Sequence, residues 1–240
     1  MLILALDTAW RTASAALCRD GEILAYREKD SEMNHSKTIL PAAAELLAEQ
    51  GLELDQADVF AATTGPGSFT GLRIGAAAVK GYAWALDKPC AAVSTLESAA
   101  WAAREYEGLL CAALPARQDE FFYAFFENQE GEIRRLTEDK VDRAENIAEE
   151  IRRRGGIPWL TGTGAEELLE VCNGGETQVR LAQGCRQNAA AAALCAWRQA
   201  QEGKLTDCHG LKPSYLRLSQ AERMKQEEIN RQKTEGKAER

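Results

Sequence analysis

The sequence predicts a mixed α/β protein made of two successive halves with a similar layout. Each half opens with three strand-like segments, continues with alternating helix-like and strand-like segments, and contains one glycine-rich turn between a strand and a helix. The halves share this order of elements but no sequence identity. A chain of 240 residues can bury a sizeable core, either as one large domain or as two small ones.

The first half begins as an antiparallel meander, because Arg19-Asp20-Gly21 is a hairpin signal between its second and third strands. Its first helix has Ser36 as a plausible N-cap and Gly51 just past its end. The strands predicted in this half are residues 2–6, 12–17, 22–27, 59–63 and 90–93, and the helices are residues 35–50, 71–86 and 96–105.

The second half repeats this order, with a second glycine turn at residues 161–165 that opens a helix. Its predicted strands are residues 109–114, 120–127, 132–137 and 158–161, and its predicted helices are residues 144–153, 166–172 and 188–201.

Three strands followed by helix, strand, helix, strand and helix is the order of one lobe of the actin-like ATPase (ribonuclease H-like) fold. We therefore expect an N-terminal lobe over residues 1–106 and a C-terminal lobe over residues 107–218. Residues 219–240 carry almost no apolar side chains and cannot support a core. We expect them to form a polar, disordered and solvated tail, with an interaction tail as the alternative.

The composition narrows the class of protein. The net charge of −8 and the pI of about 5.1 argue against a free-standing nucleic-acid binder, which usually carries a basic surface. Met1–Leu6 is too short for a signal peptide, and no apolar run approaches the ~20 residues that span a bilayer. The seven cysteines are odd in number and form no Cys-x-x-Cys pair. We expect a cytoplasmic protein with reduced thiols and no membrane contact.

The most distinctive segment is the glycine-rich loop of residues 65–75, which reads Gly-Pro-Gly-Ser-Phe-Thr-Gly-Leu-Arg-Ile-Gly. It lacks the Lys-Ser/Thr pair of a Walker A loop, and its glycine spacing does not fit a dinucleotide site. The loop could contact a nucleotide or a partner, or it could serve close packing, with its arginine in a surface ion pair. The candidate contact residues are Gly65, Gly67, Ser68, Thr70 and Arg73.

The helix after this loop carries small residues on one face, where the backbone of another helix can approach closely. That helix could belong to another protein, which would also contact the 35–50 helix, or to the core of the same chain. The candidate interface residues are His35, Ile39, Ala43, Leu46, Gly71, Gly75, Ala78 and Tyr82. We expect charged residues at Gly75 or Ala78 to break the interface and leave the fold intact.

Asp7 ends the first strand, where actin-like enzymes place a carboxylate near metal and phosphate. No glycine follows it, so the tight phosphate-binding hairpin of ATP-hydrolysing members is absent, and Asp7 can instead cap the turn with Thr8. The two histidines, His35 and His209, lie far apart and form no metal-binding pair. We expect a degenerate nucleotide site, with no catalytic residue, metal or cofactor of its own.

Six segments occur in order over roughly residues 1–217: Leu4–Thr8, His35-Ser36, residues 65–75, Ser94–Glu97, Ala116-Arg117 with Glu120, and Pro213–Arg217. Together they resemble the TsaB family, also called YeaZ. TsaB proteins are non-catalytic subunits of the machinery that makes N6-threonylcarbamoyladenosine in bacterial tRNA. Ala9, Pro115 and Phe122 depart from the family pattern, which puts any role of those side chains in doubt.

The resemblance implies a set of partners. TsaB proteins pair, through the two helices named above, with TsaD, which carries the metal and transfers the threonylcarbamoyl group to the tRNA. TsaE, an ATPase, is the expected third member, and TsaC supplies threonylcarbamoyl-adenylate. The resemblance further implies contact with tRNA only through the complex, ATP or ADP as an option at the joint with TsaD, and a homodimer when the chain is isolated.

Two rival classes stay open. One is an independent actin-like small-molecule kinase or ATPase, which the glycine-free turn after Asp7 disfavours. The other is a peptidase, which the lack of metal ligands and of a Ser-His-Asp set disfavours.

Overall fold

The computed structural model describes residues 1–30, 34–175 and 177–216. The tail expected over residues 219–240, and Arg217 of the last family segment, lie outside these ranges. The strands are β1 (Leu2–Asp7), β2 (Thr12–Arg19), β3 (Glu22–Asp30), β4 (Val59–Gly65), β5 (Cys90–Ser94), β6 (Gly108–Pro115), β7 (Glu120–Gln129), β8 (Glu132–Arg135), β9 (Lys140–Arg143), β10 (Trp159–Thr161) and β11 (Arg180–Leu181). The helices are α1 (His35–Glu49), α2 (Phe69–Leu86), α3 (Thr95–Ala102), α4 (Ala144–Arg154), α5 (Ala165–Gly174) and α6 (Ala189–Gln201).

All the predicted helices and strands are present, and the differences lie at their ends. Helix α2 begins at Phe69 because Ser68 caps it by accepting a hydrogen bond from the Gly71 backbone N–H. The prediction of Ser36 as an N-cap is wrong: α1 already begins at His35, and Asn34 occupies the cap position. Strands β9 and β11 were not predicted, since each contains a single apolar side chain and shows no alternation.

The two sheets have the same strand order, as the repeated order of elements predicts. The first sheet runs β3-β2-β1-β4-β5 and the second β8-β7-β6-β10-β11, with β9 also pairing β7. In both sheets the three opening strands are antiparallel and the other two run parallel to the first. The repeat is therefore one of topology, without detectable repetition of sequence.

The first sheet is covered on both faces. Helices α1 and α2 pack on one face over Leu4, Leu17 and Phe60, and α6 packs on the other over Ile3 and Ala61. Helix α6 lies close to the sheet because most of its buried side chains are alanines. The second sheet has α4 and α5 on one face and α3 on the other.

Helices α3 and α6 each cover the sheet of the opposite half. Helix α3 follows the first sheet in sequence but packs on the second, while α6 follows the second and packs on the first. The two helices also contact one another between the sheets. A boundary between residues 106 and 107 therefore separates both helices from the sheets that they cover. None of the helices in the described part of the chain is both long and apolar enough to cross a membrane.

Candidate functional site

The glycine-rich loop is a junction of three backbone segments. Ser68 donates its backbone N–H to the carbonyl oxygen of Ala9 at 2.8 Å, and a Cβ atom on Gly67 would lie 2.6 Å from that oxygen. A Cβ atom on Gly65, whose φ is +132°, would overlap the carbonyl oxygen of Ser214. Both glycines therefore permit close approach of backbone segments within the chain itself.

Two glycines of α2 pack on the turn after β1. The Thr8 hydroxyl donates a hydrogen bond to the carbonyl oxygen of Gly71 at 2.7 Å, and a Cβ atom on Gly71 would overlap the Thr8 carbonyl oxygen. A Cβ atom on Gly75 would lie 2.5 Å from the Thr8 hydroxyl oxygen. The expectation that a charge at Gly75 leaves the fold intact is therefore wrong, because this side of α2 is filled by the same chain.

The four candidate interface residues of α1 are also buried within the chain. Ile39, Ala43 and Leu46 are about 1% exposed in the core beneath the first sheet. His35 is 7% exposed and donates from Nε2 to the carbonyl oxygen of Trp10 at 2.7 Å. The prediction that Ile39, Ala43 and Leu46 lie at a protein interface is therefore wrong, because an apolar stripe that faces the core has the same periodicity as one that faces a partner.

The exposed surface of α2 lies on its other side. We call Thr70, Ile74, Ala77, Gly81 and Trp84 the α2 outer face; their spacing of four, three, four and three residues keeps them on one side of a helix. Trp84 is 75% exposed, and a Cβ atom on Gly81 would meet nothing within 4 Å. Helix α1 contacts α2, and its Leu40, predicted in the apolar stripe, is 42% exposed.

Ala78 and Tyr82 flank the outer face and are half-buried. The Tyr82 ring packs on Phe60 of the core, with ring centroids 5.5 Å apart. Each of these two side chains is therefore partly packed against the core and partly exposed on the outside of α2.

A cavity of about 820 Å³ opens at the N-terminal end of the α2 outer face. It lies between the turn after β1 and the first turns of α1 and α2. Its lining residues are Trp10, Arg11, Asp30, His35, Ser68, Thr70, Gly71 and Ile74. The combination of a Trp and an Ile with several polar groups suits an amphipathic side chain.

Asp7 is buried at the end of β1. Its Oδ1 accepts hydrogen bonds from the Thr63 hydroxyl at 2.6 Å and from the Ala9 backbone N–H at 2.9 Å. Burial raises the pKa of Asp7, and these two hydrogen bonds oppose the rise. Asp7 thus caps the turn at Ala9, one residue beyond the predicted Thr8. No group of three His, Cys, Asp or Glu side chains within the described residues is placed to hold a metal ion.

The last described segment returns to the glycine loop. The Thr206 backbone pairs with Cys90, and Ser214 donates its N–H to the carbonyl oxygen of Thr64 at 2.7 Å. Tyr215 then stacks on Phe69 at the start of α2, with ring centroids 4.8 Å apart. We call residues 205–216 the C-terminal strap.

A cluster of charged side chains joins the two halves at the end of β5. Arg135 contacts Asp139 at 2.5 Å and Glu97 at 3.4 Å, and the Ser94 hydroxyl donates to Asp139 at 3.0 Å. Burial raises the pKa of Glu97, while Arg135 lowers it. This interlobe cluster lies between two cavities of about 820 and 350 Å³.

Sequence reasoning missed Arg135, Asp139 and Trp84 as site residues. Ser94 and Glu97 were noted only as part of a family segment, because Arg135, the cation that pairs with Glu97, lies 38 residues further along the chain. Trp84 could have been found from its heptad-like spacing to Thr70. All seven cysteines are free thiols, five of them buried, as expected from their number and spacing.

Comparisons with known proteins agree with the resemblance. The family model described as "TsaD: tRNA N6-adenosine threonylcarbamoyltransferase" matches residues 29–157. The tRNA threonylcarbamoyladenosine biosynthesis protein TsaB of Bacillus subtilis is 29% identical over 225 residues, which are 92% of this chain and 96% of the relative. The TsaB protein of Escherichia coli is 36% identical over 168 residues, which are 68% of this chain and 72% of the relative.

The solved structures agree on the fold. YeaZ from Pseudomonas aeruginosa superposes with a TM-score of 0.75 at 29% identity, over 90% of this chain and 99% of that one. The ROK hexokinase of Thermus thermophilus superposes with a TM-score of 0.52 at 12% identity, over 85% of this chain and all of that one. At such low identity the second likeness shows the fold alone, which is the predicted two-lobed actin-like fold.

Proposed function

The chain belongs to the TsaB family, and from this premise we propose that it is a non-catalytic subunit that binds and orders the catalytic subunit TsaD. Its role lies in the formation of N6-threonylcarbamoyladenosine in tRNA, the process in which its relatives are named. The family model that matches more than half of the chain is that of TsaD itself. Related chains can pair through equivalent surfaces in a pseudo-symmetric dimer, so this kinship supports the proposed partner.

The observation that carries the proposal is the α2 outer face. A tryptophan that is 75% exposed, in line with Ile74 and the small residues Ala77 and Gly81, leaves apolar surface in water that a partner helix can bury. Tryptophan is enriched among the residues that dominate binding energy at interfaces. The proposed contact surface is therefore the α2 outer face with Leu40 of α1, and no longer the buried positions that the sequence indicated.

The same face supports the homodimer proposed for the isolated chain. Thr70 and Trp84 lie seven residues before and after Ala77, so an antiparallel two-fold pair centred on Ala77 brings Trp84 of each copy opposite Thr70 of the other. The cavity beside Thr70 and Ile74 can then receive the indole ring. A surface that is complementary to itself is what a two-fold dimer requires.

Two features support a non-catalytic role. Asp7 is engaged with Thr63 and Ala9 in capping its own turn. The glycines Gly65 and Gly67 are engaged with the chain's own backbone. The loop thus offers Ser68, Thr70 and Arg73 as its outward contacts. We propose that an ATP or ADP at the joint with TsaD would meet Ser68 and Thr70, and that TsaE, TsaC and tRNA act through the complex.

The proposal is tested by titrating the purified chain with TsaD from the same cell and assaying tRNA modification with and without the chain. We expect binding, and modification that depends on it. Trp84→Ala should raise the Kd about 30-fold, because it removes an interface anchor worth about 2 kcal/mol. Gly81→Glu should abolish binding, because it places a bulky charged side chain within the α2 outer face.

Two matched variants serve as controls. Leu24→Ala removes another exposed apolar side chain, on β3, and Gly174→Glu adds a charge to a helix glycine with open space around it. Both should bind like the wild type. Wild-type affinity in Trp84→Ala and Gly81→Glu would contradict the assignment of the surface. Absence of binding, together with magnesium-dependent ATP turnover by the chain alone, would favour the kinase alternative.

A further inference from the structure

Arg73 is held rigidly at the surface by two aromatic side chains. Its guanidinium carbon lies 3.8 Å from the centre of the Phe69 ring, and its Nε donates a hydrogen bond to the Tyr215 hydroxyl at 2.9 Å. Tyr215 itself is fixed on Phe69 by ring stacking and by the backbone bond of Ser214 to Thr64. The C-terminal strap therefore sets the orientation of an arginine that belongs to α2.

The remaining nitrogens of this guanidinium have no ion pair within the described residues. The hydrogen bond to Tyr215 uses Nε alone, and the side chain is exposed. The sequence left open that Arg73 forms a surface ion pair within the chain. The described part of the chain contains no such ion pair. An arginine that presents its two terminal nitrogens in a fixed plane suits bidentate binding of a carboxylate or a phosphate.

The place of Arg73 favours a carboxylate on a protein. Arg73 lies one helical turn before Ala77, at the edge of the α2 outer face, where a protein partner is proposed to pack. Its side chain lies beside the rings of Phe69 and Tyr215, so a carboxylate that reaches it would be flanked by apolar surface. Charge-assisted hydrogen bonds gain strength where such surface excludes water.

We propose that Arg73 is the charged anchor of the partner interface, binding an Asp or Glu side chain of the partner protein, and that Phe69 and Tyr215 are its positioning residues. This inference rests on the proposed function, because it concerns the same surface. It assigns the C-terminal strap a role in recognition: through Tyr215 it fixes the guanidinium before the partner arrives, so less side-chain entropy is lost on binding.

The test measures the Kd for TsaD by calorimetry at 50 and 500 mM NaCl. Arg73→Ala should weaken binding by about tenfold or more at low salt and by less at high salt, as the loss of a charge-assisted contact predicts. Arg73→Lys should restore little, because lysine lacks the planar fork. Tyr215→Phe keeps the ring stacking and removes the acceptor oxygen, so it should weaken binding by about threefold through loss of orientation alone.

Arg19→Ala, at an exposed arginine on the far end of β2, is the matched control and should leave the Kd unchanged. Thermal melting of each variant distinguishes a loss of recognition from a loss of folding. Wild-type binding together with an Arg73→Ala Kd within twofold of wild type overturns this inference and leaves the proposed function standing. Absence of wild-type binding overturns both.

A second experiment distinguishes a carboxylate ligand of Arg73 from a phosphate ligand. The chain alone is titrated with millimolar inorganic phosphate and with tRNA. We expect no binding that depends on Arg73. A phosphate or tRNA signal that disappears in Arg73→Ala, with TsaD binding unaffected by the same variant, would overturn the carboxylate assignment in favour of a phosphate site.

Discussion

At the scale of single residues, the glycines of α2 have opposite surroundings although they share one helix. Gly71 and Gly75 face Thr8, where an added Cβ atom would meet an oxygen atom, whereas Gly81 faces open space. A glycine in a helix lowers stability relative to alanine unless close packing requires it. Among the glycines of α2, close packing therefore requires only those in the first two turns.

Gly71→Ala should lower the free energy of unfolding by about 2 kcal/mol, because the methyl group overlaps the Thr8 carbonyl oxygen and forces α2 away from β1. Gly81→Ala should raise it by up to about 0.8 kcal/mol, the gain in helix propensity. Urea denaturation of both variants measures the two effects. Equal stability of the two variants would contradict the packing role of Gly71.

At the scale of elements, α4 is joined to the second sheet by hydrogen bonds to Glu150. The carboxylate accepts from the Tyr123 hydroxyl at 2.7 Å, from Lys140 at 3.1 Å and from Arg154 at 2.8 Å. Burial opposes ionisation of Glu150, but these three donors outweigh it and lower the pKa to about 2. The contact links one helix to β7 and β9 at once.

This depressed pKa makes the contribution of Glu150 depend on pH. Above the ordinary glutamate pKa of about 4.3 the contribution is fully present, and it is lost as the pH falls toward 2, where the folded-state carboxylate takes up a proton. Glu150→Gln should therefore lower the free energy of unfolding by about 1 kcal/mol at pH 7, since solvent screens its partly exposed cations. The difference from wild type should shrink between pH 5 and about 2.

Urea unfolding of wild type and Glu150→Gln across this pH range measures the effect. Glu149→Gln is the matched control, because the neighbouring side chain is exposed. A difference between wild type and Glu150→Gln that does not change with pH would contradict the linkage.

At the scale of the whole molecule, two devices hold the halves together. Helices α3 and α6 each cover the sheet of the other half, and the interlobe cluster joins β8 to the start of α3. Arg135 lies 4.7 Å above the Phe126 ring and bonds to carboxylates on both sides of the junction. Any separation of the two halves would have to break these contacts.

Arg135→Met should lower the free energy of unfolding by about 2 kcal/mol, because it leaves two half-buried carboxylates, Glu97 and Asp139, without their cation. Hydrogen exchange should rise both at residues 94–97 and at residues 136–139. Arg134→Met, at a neighbouring side chain that is 71% exposed, should change stability by less than about 0.5 kcal/mol. Similar exchange rates in both variants would argue against a joint held by Arg135.

Much of the secondary structure could be predicted, because strand alternation, helical periodicity and turn residues are local signals. The meander of β1 to β3, helices α1 and α2 and the glycine turn before α2 were predicted close to their bounds. Short edge strands such as β9 were not, since four residues with one apolar side chain carry no period. The family segments indicated the function in outline for the same reason, because each lies within a short stretch of the chain.

The sequence by itself determined the elements, their order, the two-lobed fold class and the family resemblance. The tertiary structure decided which helix faces pack against the chain's own core and which are exposed. An apolar or small-residue stripe shows that something packs there, and it does not show whose side chains do so. Ile39 and Gly75 are buried within the chain, whereas Trp84 is exposed. Arg135 and Tyr215 meet partners 38 and 142 residues away, and only folding brings such distant groups within bonding distance.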